Sequence, residues 1–122
     1  MIKSFLRYGF IGAIATAVHY LVLIACVELL QWPAYLGSGV GAVVGAQVAF
    51  FGNRRFTFDH SGALNEAWIK FQATALIGAL VGMAIVAITV KMGWHYLLGQ
   101  VLATLTSLVL TFAINRAWTF RR

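Results

Sequence analysis

Acidic residues are nearly absent from this chain: Asp and Glu number three, against nine Lys and Arg, in 122 residues. They are Glu28, Asp59 and Glu66, and none sits in the middle of an apolar run. Hydrolysis or group transfer would therefore lack an assignable general acid and base. Export of cations in exchange for protons is disfavoured too, because it needs a carboxylate at mid-membrane depth. Cysteine occurs once, at Cys26, which excludes an internal disulfide. One Cys and three dispersed His cannot close a zinc site, and no nucleophilic triad is present. The expectation is a non-enzyme with no metal and no cofactor.

Charge of either sign is scarce as well. Charged residues make up 10% of the chain and hydrophobic ones 61%, whereas typical soluble proteins are roughly 25% charged. A soluble domain this small cannot hide so much apolar surface, so lipid must cover the rest. The net charge of +6 is not gathered on a face or stripe, as nucleic-acid binding requires, but sits at the ends of apolar runs. No nucleic-acid partner is expected.

Four windows supply the about 20 apolar residues needed to cross a bilayer: approximately 8–30, 34–52, 71–90 and 94–114. Trp32-Pro33 marks the start of the second. The apolar run behind Lys3 and Arg7 is too long for the h-region of a cleaved signal peptide, so an uncleaved first span is expected. Lys3, Arg7, Arg54, Arg55, Lys70, Arg116, Arg121 and Arg122 fall on one side and Lys91 alone on the other. The positive-inside rule then places both termini and the central loop in the cytoplasm. The stretch 65–71 interleaves Trp68, Ile69 and Phe71 with Glu66 and Lys70. It reads equally as an interfacial helix or as an N-terminal extension of the third span.

The phrase NRRFTF at 53–58 returns as NRAWTF at 115–120, with Phe50 and Phe112 three places upstream of each. A shift of 62 also carries Gly37 onto Gly99, while the preceding helices align at 66, FLRYGFIGA (5–13) on FQATALIGA (71–79). The implied architecture is an all-α membrane protein of four transmembrane helices in two hairpins of like orientation, a parallel repeat about an axis along the membrane normal. The whole of 1–122 forms a single membrane domain, with repeat 1 at 5–58, repeat 2 at 71–120 and a cytoplasmic connecting loop at 59–70. Small residues every four positions (Gly37, Gly41, Gly45, Ala49, and Gly99, Ala103, Ser107, Thr111) predict close backbone approach. Gly12-xxx-Thr16 and Gly78-xxx-Gly82 are shorter counterparts on the first and third helices.

Polar groups inside an apolar slab are costly and usually face protein or water. His19, Gln47 and Gln100 each read as interhelical hydrogen bonding or as contacts along a polar path, with Thr16 and Thr104 beside them. Thr16, Thr74, Thr104, Thr106, Ser107 and Thr111 equally fit back-bonding to their own helices. Glu28 and Lys91, near the outer ends of equivalent helices, are in position for an exposed ion pair. At the basic rim, Arg7, Arg54, Arg55, Lys70 and Arg116 can hold a phosphate, the guanidinium fork doing so bidentately, and Asn53 and Asn115 can orient it. Phe56, Phe58, Trp118 and Phe120 belong at headgroup level, as anchors or as contacts for an acyl or prenyl chain or a sugar face.

With FLRYGFIGAIAT opening the chain and FxxNRx[FW]TF closing both hairpins, the sequence resembles the GtrA-like family over essentially its whole length. The first copy departs in carrying Phe56 where Trp is more frequent, and Gly52 where Leu or Ile is usual. The resemblance implies translocation of undecaprenyl-phosphate-linked sugar across the bacterial inner membrane for polysaccharide and O-antigen glycosylation, beside a membrane glycosyltransferase. It further implies that Arg7, Arg54, Lys70 and Arg116 capture the phosphate, with Asn53 and Asn115 fixing phosphate or sugar oxygens. Thr16, His19, Gln47, Gln100 and Thr104 then line the way across while the prenyl tail stays among membrane lipids. Four helices enclose little space, so a homo-oligomer is expected. The alternatives are a non-transporting scaffold for a polyprenyl-phosphate glycosyltransferase and, third, a small multidrug exporter.

Overall fold

The computed structural model describes residues 2–56 and 64–114, with the side chains of residues 4, 5, 8, 53–56 and 64–67 outside that description. The described residues form four helices, α1 (Ile2–Glu28), α2 (Ala34–Phe56), α3 (Leu64–Lys91) and α4 (Tyr96–Ile114), and no strand. Each contains a stretch long and apolar enough to cross a membrane: Gly9–Glu28, Ala34–Gly52, Trp68–Lys91 and Tyr96–Ile114. The chain is a multi-pass all-α membrane protein. Helix α3 runs unbroken from Leu64, so the 65–71 segment extends the third helix, and the latter part of the expected connector is helical.

A tight turn joins the helices of each hairpin, and both turns hold a left-handed residue at the same place, though their closing bonds differ. At the end of α3, Gly93 takes φ 92°, the Trp94 N–H returns to the Thr89 carbonyl and the Gly93 N–H to Val90, both at 3.0 Å. That pair of bonds is the Schellman motif, whose left-handed position suits glycine. At the end of α1 the corresponding place is held by Gln31 at φ 58°, and the Trp32 N–H reaches the Cys26 carbonyl at 2.9 Å. The next helices start alike. Pro33 accepts from Leu36 and Gly37 at 3.1 and 3.3 Å, and His95 accepts from Leu98 and Gly99 at 3.0 and 3.2 Å.

Helices pack with their neighbours in sequence: α1 on α2, α2 on α3, and α3 on α4. Lipid tails are as apolar as leucine, so this association rests on close packing and hydrogen bonds rather than on the hydrophobic effect. The α1–α2 seam follows the predicted glycines. A Cβ on Gly41 would lie 2.6 Å from the His19 carbonyl oxygen, and one on Gly45 would lie 2.9 Å from that of Ala15. Gly37 meets Cys26 and Leu23 in the same way. Across α3–α4, Gly78 faces Thr111 and Ser107, Gly82 faces Ala103, and Ser107 Oγ donates to the Gly78 carbonyl at 3.1 Å.

One small-residue expectation fails. A Cβ placed on Gly12 would meet nothing of another helix within 4 Å. Its stripe is therefore not a packing seam, because α1 turns the face bearing Ala15 and His19 towards α2.

Candidate membrane-embedded polar path

Four residues from three helices form a connected hydrogen-bond circuit between the packed faces. Ser38 Oγ on α2 donates to Gln100 Oε1 on α4 at 2.6 Å. Gln100 Nε2 donates to Thr104 Oγ1 at 3.1 Å, one turn along α4. Thr104 Oγ1 lies 2.8 Å from the Tyr20 hydroxyl on α1, and that hydroxyl donates to the Gln100 carbonyl at 3.3 Å. A single direction of donation satisfies every member: Ser38 to Gln100, Gln100 to Thr104, Thr104 to Tyr20, and Tyr20 back to the Gln100 backbone. Such a circuit polarises its own members in a low-dielectric interior. Ser38 and Gln100 are each only 2% exposed, so their burial is tolerable only because they are paired.

His19 adjoins this circuit. Its ring stands edge-on to Tyr20, with centroids 5.5 Å apart, and its Cδ2 edge and backbone carbonyl sit against Gly41. Its Nε2 is buried without a hydrogen-bond partner. An unsatisfied polar atom inside a bilayer-spanning bundle costs on the order of a few kcal/mol. It marks a place where a polar ligand or water has something to bind.

A second polar pair lies nearer the end that carries the start of α1 and the end of α4. Gln47 Nε2 donates to Gln72 Oε1 at 2.7 Å, and Gln72 Nε2 returns to Gln47 Oε1 at 3.1 Å. The reciprocal amide pair joins α2 to α3 and is the interhelical use expected for Gln47. Beneath it Phe50 is buried against Phe71, ring centroids 5.2 Å apart.

Of the five path residues read from sequence, Gln100 and Thr104 are hydrogen-bonded together, and His19 stands beside them through Tyr20. Gln47 belongs to the separate pair. Thr16 is exposed on α1, one turn from Tyr20 on the same stripe. Thr74, Thr106 and Thr111 back-bond to the carbonyls of Lys70, Leu102 and Ser107, as expected, whereas Ser107 reaches across to the Gly78 carbonyl on α3 and Thr104 bonds Tyr20 and Gln100 instead. The proposed ion pair of Glu28 with Lys91 does not form: Glu28 Oε1 accepts from the Tyr96 hydroxyl at 3.0 Å. Lys91 ends α3, whereas Tyr96 opens α4 directly opposite the end of α1.

Tyr20, Ser38 and Gln72 are functional candidates that sequence reasoning missed. Ser38 had a signal, since it stands 62 residues before Gln100, the same spacing that relates the two motif copies. At the basic rim, Arg7 is exposed and Lys70 half-buried, and neither is without a partner. Asn53, Arg54, Arg55 and Phe56 fall in the last turn of α2, with side chains outside the described ones. Phe58, Asn115, Arg116, Trp118 and Phe120 lie outside the described residues.

Residues 7–120 match the model of the GtrA/DPMS transmembrane domain. The chain belongs to this family. It is 30% identical over 84 residues to a bactoprenol-linked glucose translocase of Shigella phage SfV, covering 69% of this chain and 70% of that one. Identity is also 30% over 84 residues, with the same coverages, to a prophage bactoprenol-linked glucose translocase homolog of Escherichia coli K12. To the translocase of Shigella phage SfX it is 33% over 82 residues, covering 67% and 68%. No solved structure matches the chain.

Proposed function

We propose that the protein translocates a polyprenyl-phosphate-linked sugar across the bacterial inner membrane. The observation that carries this is the buried circuit of Tyr20, Ser38, Gln100 and Thr104 beside the unpartnered Nε2 of His19. A purely anchoring bundle gains interhelical bonds from the circuit, but nothing from the unpartnered His19 Nε2 beside it. Crossing unaided, a charged and hydroxylated head group gives up its hydration, at a cost of several kcal/mol or more. Neutral donors and acceptors replace part of that hydration without adding charge of their own. The names of the relatives, bactoprenol-linked glucose translocases, support both the class of lipid and a transporting rather than catalytic role.

In this reading the two NR-x-[FW]-TF segments lie at the cytoplasmic face, where the positive-inside bias places both termini. Arg54 and Arg116, with Arg7, Arg55 and Lys70 around them, capture the phosphate, and Asn53 and Asn115 orient it. Phe56, Phe58, Trp118 and Phe120 bracket the head group at the interface. The two hairpins are copies about an axis along the membrane normal. Three features at the same 62-residue spacing support that relation: the left-handed Gln31 and Gly93, the matching bonds to Pro33 and His95, and the direct contact of Ser38 with Gln100. Residues related by a two-fold can touch like this only near the axis, which puts the polar circuit at the centre of the repeat. A homo-oligomer completes the enclosure, and a membrane glycosyltransferase supplies the sugar lipid.

The test is transbilayer movement of a labelled prenyl-phosphate hexose in vesicles holding the purified protein. Acceleration over protein-free vesicles is expected. An unchanged rate, with the glycosyltransferase still held in a complex, would establish the scaffold instead.

A further inference from the structure

The two outer helices meet differently from the two inner ones, although a two-fold repeat makes α1–α4 the counterpart of α2–α3. On the inner seam Gly39 and Ala79 are buried and Met83 half-buried, with Met83 lying against Gly39. Their counterparts Val101, Ala13 and Ala17 are all exposed. The rings show the same break. Phe50 is 9% exposed against Phe71, whereas its counterpart Phe112 is 66% exposed. Helices α1 and α4 share no packed interface comparable to the other three.

What holds α1 to α4 instead is a pair of tyrosine hydroxyls reaching in opposite directions. Tyr20 on α1 bonds Thr104 and the Gln100 carbonyl on α4. Tyr96 on α4 bonds Glu28 on α1. A long aromatic side chain can bridge helices whose backbones stay apart, and a net hydrogen bond of this kind is worth only about 1 kcal/mol. Opening the seam therefore breaks a few bonds and separates no packed interface. Thr16 lies exposed one turn from Tyr20, a polar group beside the seam, and Ile14, Leu105 and Leu108 are exposed apolar residues of its two helices, taken here as its lips.

We infer that the α1–α4 seam is the lateral opening through which the sugar-phosphate head group enters the polar circuit, with Tyr20 as the group that exchanges its helix partner for a sugar hydroxyl. The prenyl chain stays outside between the apolar lips. The occupant is the lipid rather than a second copy of the chain, because the seam is continuous with the polar circuit. An apolar interface with a second copy would leave the exposed Thr16 hydroxyl without a polar partner. The α2–α3 side is the poorer entrance: its groove, about 340 Å³ and lined by residues such as Val40, Val43, Leu76 and Leu80, has the packed Gly39–Met83 contact for a floor. This inference rests on the translocase reading and adds the route.

The experiment uses paired cysteines in a Cys26→Ala background, joined by a reducible bifunctional reagent in reconstituted vesicles. Ala17→Cys with Leu108→Cys closes the α1–α4 seam, and Val43→Cys with Leu76→Cys closes the α2–α3 groove. Closing α1–α4 is expected to slow movement of a labelled prenyl-phosphate hexose at least tenfold, with recovery on reduction, while closing α2–α3 leaves it within twofold. Full movement with α1–α4 closed overturns the inference, and so does loss of movement on closing α2–α3 alone.

A photoreactive prenyl-phosphate hexose gives a readout independent of transport. If even the unmodified protein moves no lipid, the translocase reading fails, and labelling then decides the route as a binding site. Adducts on α1 and α4 around Ala13, Thr16 and Leu105 are expected. Adducts confined to α2 and α3, or ready crosslinking of single Leu108→Cys chains to one another, overturn it, the latter by showing that a second copy fills the seam.

Discussion

The Ser38 hydroxyl donates to the Gln100 side-chain carbonyl at 2.6 Å, across two helices and 62 residues of sequence. The same spacing separates the two copies of the basic-aromatic motif, so the shortest buried side-chain bond described joins positions equivalent in the proposed repeat. Its replacement should lower transport and also cost about 1–3 kcal/mol of stability, because Ser38 is left buried without its partner. Gln100→Leu removes the acceptor of Ser38 and the donor to Thr104, and is expected to lower prenyl-phosphate-hexose movement at least tenfold. Gln100→Glu tests the requirement for neutrality, since a charge there must be buried at considerable cost. A Gln100→Leu protein with unaltered transport would remove the circuit from the path.

The glycine seam gives a prediction about stability alone. Gly41→Ala and Gly45→Ala push a Cβ into backbone carbonyl oxygens of α1 that cannot move without shifting the helix. Each should cost about 1–3 kcal/mol. Gly9→Ala and Gly12→Ala meet nothing of another helix within 4 Å and should be neutral, or stabilising by up to about 1 kcal/mol through helix propensity. Denaturant titration in mixed micelles measures the four side by side, and equal losses at all four would contradict the described packing.

Opposite signs are expected at the two hairpin turns. Gln31 holds a left-handed conformation with a side chain, at φ 58°, which costs roughly 1–2 kcal/mol. Gln31→Gly relieves that cost but gives the unfolded chain more freedom, so the net effect is neutral to mildly stabilising. Gly93→Ala, at φ 92°, has no such compensation and should lose about 1 kcal/mol or more. Thermal unfolding in detergent separates the two.

The Gln47–Gln72 pair suits a double-mutant cycle. Leucine at either position leaves the other amide short of partners, whereas leucine at both removes the need for them. The coupling should be about 0.6 kcal/mol and no more than about 1.7 kcal/mol, the range seen for hydrogen bonds inside membrane proteins. A coupling of zero would mean that the two bonds do not persist in the bilayer.

Much of this was legible in the sequence because a bilayer simplifies the problem. Length and hydropathy alone placed all four spans to within a few residues, and the four-residue glycine period identified the α1–α2 seam. Gly12 misled because small residues show where helices can approach, not where they do. Period and depth likewise do not say which neighbour a polar side chain reaches. Gln47 and Gln100 looked alike in sequence, yet one meets Gln72 on α3 and the other Ser38 on α2. In the sequence Tyr20 is one more aromatic in an apolar run. Only the placement of α4 shows its hydroxyl reaching Thr104. Glu28 was matched to Lys91 by charge and depth, but the end of α1 faces the start of α4 rather than the end of α3.

The basic rim makes the remaining functional prediction. If the two Asn-Arg pairs hold one phosphate together, Arg54→Ala and Arg116→Ala should each weaken prenyl-phosphate binding at least tenfold. Their double variant should then be little worse than either alone. Independent anchors would give small losses that add. Titration of the purified variants with a short-chain prenyl phosphate measures both.

The central claim is carriage of a sugar-bearing prenyl phosphate, and the most direct measurement compares three lipids in the same reconstituted vesicles. These are a prenyl-phosphate hexose, the hexose-free prenyl phosphate and an ordinary phospholipid, each scored by access to a membrane-impermeant reagent. The hexose lipid should cross at least tenfold faster with protein than without, and the phospholipid should be unaffected. Equal acceleration of all three would describe a non-selective scramblase. No acceleration of the hexose lipid would contradict the account outright.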